Sequence, residues 1–519
     1  MNLYPTRETF HVALAGAALV ALGSAARDAT LVAFGGAMIL AVGVGRAFAS
    51  VSVARLRSAG FEMVWGRPSR VERIARGETF ILPVELRNRG TDDVRGVTIR
   101  PLASSMLEVT TEPPEIDLAP GARMRVDMTI RGARVGRWGV HGIALEVRAR
   151  TPGGDALYEA PLLFANPFGV EVIPRVLAGF LRSARGGRSR HGAELGRPSN
   201  TSGEGDEFRE LREHAPGDPF KRIAWKASAR RGQLLVRELE RDERDVVWLV
   251  VENSVELSAG VLGRAPIDLA LDEVATVAAR HLSRGDRVGL IVASARPRSY
   301  VSPDSGLDHA ARIASALASA TSNVDADRCE LDEQEIAQRV AEHARPLDAS
   351  GLADVRRGDL DALASRASQL RKRAPFAPRT PQAVSPREQV FRHYLASFGI
   401  EVPPRVLGER PRSETTLAEL VDRAVKERPR PSVVHFFGPA PTVGLPLVRT
   451  VERLKAKRVE VRWSLPSFEP SVGGVEPPPA GSVAEAVDEA VRVRSRAARL
   501  RSERSVRKLG AKLVVLVRG

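Results

Sequence analysis

The chain reads as a multidomain protein: an N-terminal pair of membrane helices, then a β-sandwich, then an α/β domain interrupted by a helical insertion. Three observations predict this. Two uncharged apolar runs stand at the start, short strand-like runs follow at regular spacing, and strand and helix patterns alternate thereafter. At 519 residues the chain is also too long for one core. Hydrophobic residues at 43% and charged residues at 27% exclude a disordered chain.

The runs "FHVALAGAALVALGSAA" (Phe10 to Ala26) and "ATLVAFGGAMILAVGVG" (Ala29 to Gly45) carry no charge, and only "RD" separates them. Each is about the length that spans a hydrocarbon core as a helix. A link this short predicts a tight antiparallel hairpin, with Gly16, Gly35 and Gly36 allowing close approach. A cleaved signal followed by one anchor is the alternative, with "GSAA" as the cleavage site. The small positive charge before Phe10 favours the hairpin. Arg46, Arg55, Arg57, Arg67 and Arg70 follow the second run, whereas the turn holds only Arg27 beside Asp28. The soluble bulk is therefore expected on the cytoplasmic side of the inner membrane. A single cysteine, Cys329, excludes an internal disulfide framework and agrees with that side.

From Val71 to Val172, runs such as "TFILPVELRNRG", "MRVDMTIRG" and "WGVHGIALEVRAR" alternate in polarity between Gly, Pro and Asp turns. That spacing predicts an immunoglobulin-like β-sandwich. "RSARGGRSRHGAELGRPSNTSGEGDEF" (Arg182 to Phe208) lacks large apolar residues and reads as a linker. "DVVWLVVENS" is a continuous apolar run, as expected of a parallel strand buried on both faces. The helix pattern "IDLALDEVATVAARHLSRGD", the strand "RVGLIVAS" and, later, "SVVHFFGPAP" and "RVEVRWSLPS" continue the alternation of a doubly wound sheet. The expected boundaries are 1–50 for the hairpin, 51–175 for the sandwich and 176–207 for the linker. The α/β domain takes 208–322 and 431–519, with a charged helical insertion at 323–430. The C-terminal part holds a long basic helix and a short strand.

Just before the apolar strand lies "PGDPFKRIAWKASARRGQLLVRE". It is no phosphate loop, because the Lys and Ser/Thr that follow the glycines of such a loop are missing. Asp218 is placed to cap the segment or to pair with Arg230, Trp225 to pack as an anchor, and "LLVRE" to form an edge strand beside "DVVWLVVE". This stretch resembles the signature of the bacterial domain-of-unknown-function 58 family, at Gly217, Asp218, Ile223, Trp225, Ala229 and Arg230. "NPFGV" (Asn166 to Val170) is similar to the family's close of the β-module, with Asn166 in place of its usual Asp. The order of modules matches over nearly the whole chain outside the insertion. The resemblance implies a von Willebrand factor A-like (Rossmann-type) domain and a partnership with a MoxR-type AAA+ ATPase in maturing or remodelling other membrane or envelope proteins.

In A-type domains a Mg²⁺ sits at the end of the first strand, on an Asp-x-Ser-x-Ser loop, a Thr and a further Asp. By that resemblance Glu252, Ser254 and Glu256 occupy the loop, and Gly438 stands where the further Asp belongs. A longer carboxylate, an added charge and a missing ligand leave the octahedral set that Mg²⁺ demands incomplete. The metal site is therefore expected to be degenerate and the chain to need no cofactor, although Glu252, Ser254 and Glu256 remain the candidates should Mg²⁺ bind. The nine histidines show no metal-ligand spacing, and no Gly-x-Ser-x-Gly elbow occurs. The expected function is a non-enzymatic adaptor anchored in the bilayer. The alternatives are a metal-dependent protein-binding domain with a surviving Mg²⁺ site and a hydrolase using Glu252 and Glu256. A nucleic-acid binder driven by the net charge of +15 fits the membrane hairpin poorly.

Overall fold

The computed structural model describes residues 4–91, 93–148, 158–185, 197–216, 218, 220–243, 245–260, 262–348, 351–352, 355–356, 358–405, 409–465 and 482–514. The chain divides into two compact units, Met1–Val172 with Ser322–Pro403 and Ile173–Thr321 with Pro404–Gly519. The segment 323–430, which reads as one insertion, is thus divided between them.

The first unit opens with the helices Arg7–Ala26 and Ala29–Ala59. Both are long and apolar enough to cross a membrane. Thr6 caps the first through the Thr9 amide, and Arg27 ends it in the left-handed region. The glycines that bring the pair together are Gly16, Gly23 and Gly35. A methyl on Gly35 would lie 2.6 Å from the Gly16 carbonyl oxygen, and one on Gly23 would lie 2.8 Å from the Val32 nitrogen. Gly36, expected at this contact, has open space around it. The second helix continues beyond its apolar stretch, and Ala49 and Val53 enter the core of the sheets that follow.

Two antiparallel sheets enclose that core. One orders Phe61–Trp65, Thr79–Asn88, Arg123–Gly132 and Leu107–Glu112. The other runs from Tyr4–Pro5 through Tyr158–Ile173, Gly136–Arg148 and Val94–Ala103 to Glu115–Leu118, and Val71–Ala75 also pairs with Tyr158–Ile173. Along Thr79–Asn88 the period of two buries Leu82, Val84 and Leu86 against Val126, Met128 and Ile130 of their own sheet and Val140, Leu145 and Phe168 of the other. Burial of each such side chain contributes about 1.5–3 kcal/mol.

Onto this sandwich packs a helical block: Glu333–Leu347, Leu360–Leu370 and Pro386–Phe398 around Ile336, Val340, Phe391, Tyr394 and Phe398. The Gly399 carbonyl accepts from the Gly139 amide (3.2 Å) and from Ser104 Oγ (2.7 Å). A side chain at position 139 would lie 2.3 Å from the Phe398 carbonyl oxygen, so only glycine admits this approach.

The second unit is built on a six-stranded sheet ordered Pro297–Asp304, Arg287–Ala293, Val246–Glu252, Val433–Phe437, Glu460–Ser464 and Lys512–Val514. All neighbours are parallel except the antiparallel edge strand Pro297–Asp304. Every residue of Val246–Glu252 is buried. Trp248 and Val250 join Val434, Phe436 and Trp463 in a core with Leu417 and Val421 of the helix Arg410–Ala424. The chain leaves Val246–Glu252 toward one side, to Arg287–Ala293, and returns on the other as Val433–Phe437. That change of direction is a topological switch point, where an open α/β sheet leaves a crevice beyond its strand ends.

Two expectations fail beside this sheet. Leu235–Glu243 does not flank Val246–Glu252. It pairs antiparallel with Arg197–Glu213 in a separate two-stranded ribbon. The expected linker accordingly contains the helix Arg175–Arg185 and the start of that ribbon strand, and only 186–196 lies outside the described residues. Backbone pairing needs no large apolar side chains, so composition concealed the strand.

Candidate functional site at the end of the parallel sheet

Glu252 ends its strand at the switch point and is 4% exposed. Its Oε1 accepts from Ser254 Oγ at 3.1 Å. Burial pushes the Glu252 carboxyl up to about 7 against the pull of Arg410 and the Ser254 hydrogen bond, and Glu414 and Glu256 add to the rise. Near neutrality Glu252 is therefore substantially a neutral acid.

Two glutamates unrecognised in the sequence dominate the surroundings. Glu409, at the N-terminus of Arg410–Ala424, accepts from the Val255 amide through Oε2 (2.7 Å) and from the Ala295 amide through Oε1 (3.2 Å). Its own amide donates to Glu256 Oε1 (3.0 Å). Glu414, one turn on, accepts from the Thr442 amide (2.9 Å) and from Thr442 Oγ1 (2.7 Å). Arg410 Nη2 donates to the Ala440 carbonyl (2.7 Å), and its Nε lies 3.7 Å from Glu414. One helix end thus ties down the loops after three neighbouring strands. Negative charge is favoured there, because the first helical amides have no intrahelical partner.

Glu252, Ser254 and Glu256 therefore do meet at one place, but the carboxylates around them are engaged. Both Glu409 oxygens are taken by backbone N–H groups and Glu414 is held by Thr442. A Cβ on Gly438 would lie 2.8 Å from Glu252 Cβ, so the Glu252 side chain fills the direction a carboxylate at 438 would need. Among the described residues no group of three or more His, Cys, Asp or Glu side chains is arranged to hold a metal ion. The octahedral oxygen set of Mg²⁺ does not fit this arrangement.

A second polar chain crosses the same sheet. Ser464 Oγ donates to Glu273 Oε1 (2.7 Å) and lies 2.9 Å from His435 Nε2. Burial raises the Glu273 carboxyl to about 7 and lowers His435 to about 3, the latter helped by Arg462, His281 and Arg280. The serine stands between acid and imidazole, so the order of a Ser–His–acid triad is absent.

The signature segment lies on the ribbon. Asp218 pairs with Arg212, not with Arg230, at 2.6 and 2.7 Å, and accepts from the Ala215 amide at 2.8 Å. Arg212 and that amide hold its carboxyl down at about 2. Trp225, expected as a buried anchor, is 61% exposed at the start of the helix Trp225–Arg231. Ile223 and Ala224 are buried in its place. Ala229 and Arg230 are exposed, and Gly217 lies outside the described residues.

Residues 210–360 match the model of a family described as protein of unknown function DUF58. The match supports the DUF58 family. It begins in the ribbon, takes in the signature segment, Glu252, Ser254 and Glu256, and ends in the helical block of the first unit. The chain is also 31% identical, over 119 residues, to the uncharacterized proteins Rv1480 of Mycobacterium tuberculosis (strain ATCC 25618 / H37Rv) and Mb1516 of Mycobacterium bovis. That alignment covers 23% of this chain and 37% of each relative, so the chain spans just over a third of the length of the curated relatives it matches. Among solved structures, the ASH / PapD-like domain of human CEP192 aligns at 16% identity and TM-score 0.17, over 22% of this chain and 87% of that one. Native alpha-2-macroglobulin from Escherichia coli, from domain MG7 to the C-terminus, aligns at 14% identity and TM-score 0.17, over 76% of this chain and 52% of that one. At these scores neither assigns a fold to the DUF58-matching chain.

Proposed function

We propose that this chain is a non-enzymatic adaptor anchored in the inner membrane by its two N-terminal helices, with its bulk in the cytoplasm. In this reading the second unit is a von Willebrand factor A-like domain that presents a protein-binding face without a metal. The first unit is an immunoglobulin-like spacer carrying a helical block, and a MoxR-type AAA+ ATPase is the partner in maturing membrane or envelope proteins. The reading rests on one observation above all: Glu256, Glu409 and Glu414 around Glu252 accept from loop and helix-end amides, where a catalytic or metal-binding set would present its carboxylates to a ligand. The DUF58 match and the two apolar helices support it. Pull-down of the detergent-solubilised full chain is expected to retain an AAA+ ATPase in EDTA as well as in Mg²⁺. Repeated absence of any such ATPase would overturn the partnership.

The buried carboxyl of Glu252, poised near 7, favours one rival: a hydrolase using Glu252 with Glu256 as an acid–base pair. Glu252→Gln with Glu256→Gln separates the two readings. The adaptor keeps its partner binding, whereas the hydrolase would lose its function.

A further inference from the structure

The signature segment points its largest side chains outward. Phe220 is 74% exposed, Trp225 61% and Leu234 47%. They share one end of the ribbon: Phe220 lies 6.4 Å from the His214 ring, the His214 amide donates to the Leu234 carbonyl (2.9 Å), and the Ala224 amide donates to the Leu235 carbonyl (2.8 Å). The end itself is held from within by Ile223, Ala224, Leu235 and Val236, all buried, and by Ser228 Oγ, which accepts from the Leu235 amide (2.9 Å). The outward apolar side chains are therefore not required for this local packing.

Charge surrounds them. Residues 211–237 carry seven Lys or Arg and two acids, Glu213 and Asp218, and Asp218 is neutralised by Arg212. Lys221, Lys226, Arg230, Arg231 and Arg237 are exposed. A Trp, a Phe and a Leu flanked by long cationic side chains have the composition of a surface that settles at the headgroup level of an anionic bilayer. There the rings enter the interface and the cations meet lipid phosphates.

We propose that this ribbon end, centred on Phe220, Trp225 and Leu234, docks on an anionic membrane surface. The proposal rests on the membrane-anchored reading, since the anchor supplies the bilayer at high local concentration. Lipid is favoured over a protein groove by the charge complementarity of these exposed cations to anionic headgroups.

The test uses the full chain in nanodiscs of phosphatidylcholine, with or without phosphatidylglycerol. A fluorophore on Ala229→Cys reports the ribbon end while leaving Trp225 in place, and buried Cys329 is not expected to compete for the label. In a parallel sample a fluorophore on Leu22→Cys, on an exposed face of the first apolar helix, reports insertion of the anchor. Doxyl-labelled lipid is expected to quench position 229 only in discs holding phosphatidylglycerol. Quenching should disappear in about 1 M salt, where the screening length falls to about 3 Å. Lys226→Ala with Arg230→Ala should shift the docking equilibrium about 25-fold, roughly fivefold per charge. Phe220→Ala with Trp225→Ala should abolish it. Position 229 equally open to iodide in both discs, while position 22 is quenched in both, overturns the proposal alone. Failure of position 22 to be quenched overturns the anchor reading instead. Quenching independent of phosphatidylglycerol, or protection that appears only when a MoxR-type ATPase is added, also overturns it, the latter in favour of protein docking.

Discussion

In the first unit, His141 Nδ1 lies 3.0 Å from His343 Nε2, and His343 Nδ1 lies 2.9 Å from the Tyr394 hydroxyl, between the sandwich and the helical block. Burial lowers His141 to about 4 and His343 well below its usual value, with the charge of His141 adding to the second. In the second unit the buried groups at the switch point are carboxyls, and burial raises Glu252. The first chain joins side chain to side chain across two packed layers, and both rings stay neutral at ordinary pH. The second joins side chain to backbone across three loops. The difference teaches where each place is vulnerable: the His141–His343 chain to acid, the switch point to loss of a single carboxylate.

The largest effect is expected from Glu409→Ala. It strands the buried amide of Val255 at about 1–3 kcal/mol and the half-buried amide of Ala295 at less, so the second unit should lose about 3 kcal/mol. Peptide-level hydrogen exchange checks this, with fast exchange at 253–258 and 294–296 and no change in the sandwich. Equal protection in wild type and variant would remove the latch from the account.

Acid should act on the other side of the comparison. His141 has a folded pKa below its unfolded value of 6.5, so its contribution is present above pH 6.5 and is lost as pH falls toward 4. The first unit is expected to lose about 3 kcal/mol over that window, and His141→Phe with His343→Phe should flatten the loss. Glu252 has the opposite sign. Its folded pKa is raised above 4.5, so its favourable term is present below pH 4.5 and is lost as pH rises through about 7. Glu252→Gln should therefore gain up to about 3 kcal/mol at pH 8 and little at pH 5. Glu273 shares that sign, and His435 shares the sign of His141, so the single variants are needed to resolve each term.

Gly438→Asp sharpens the account further. The new Cβ would lie 2.8 Å from Glu252 Cβ and cost about 1–3 kcal/mol, and Glu252→Asp in the same chain, which keeps that Cβ, should restore little of it. Thermal melts of the two variants decide. The smallest effect belongs to Trp225→Ala, which should change stability by no more than about 0.5 kcal/mol because the ring is exposed. A loss of several kcal/mol would mean the ring is packed after all.

Much of this was legible in the sequence, for identifiable reasons. Thr79–Asn88 alternates because one face is wet, and Val246–Glu252 does not because both faces are covered. Glu252, Ser254 and Glu256 were singled out only through the resemblance of their loop to an A-type metal loop. Glu409 and Glu414 were not, because Glu409 meets Val255 only across 154 positions, Glu414 meets Thr442 across 28, and both lie in a Pro-rich stretch that reads as insertion. Their one local signal was a glutamate followed by Pro411 at a helix start. Trp225 misled because hydrophobicity predicts burial on average, whereas Ile223 and Ala224 beside it had already filled the interior.

The most direct test of the central claim is calorimetric titration of Mg²⁺ into the full chain in detergent, beside melts in EDTA and in Mg²⁺. With Glu256, Glu409 and Glu414 held by backbone amides and Glu252 by Ser254, no stoichiometric uptake and no shift in Tm are expected. Tight one-to-one uptake abolished by Ser254→Ala would contradict it.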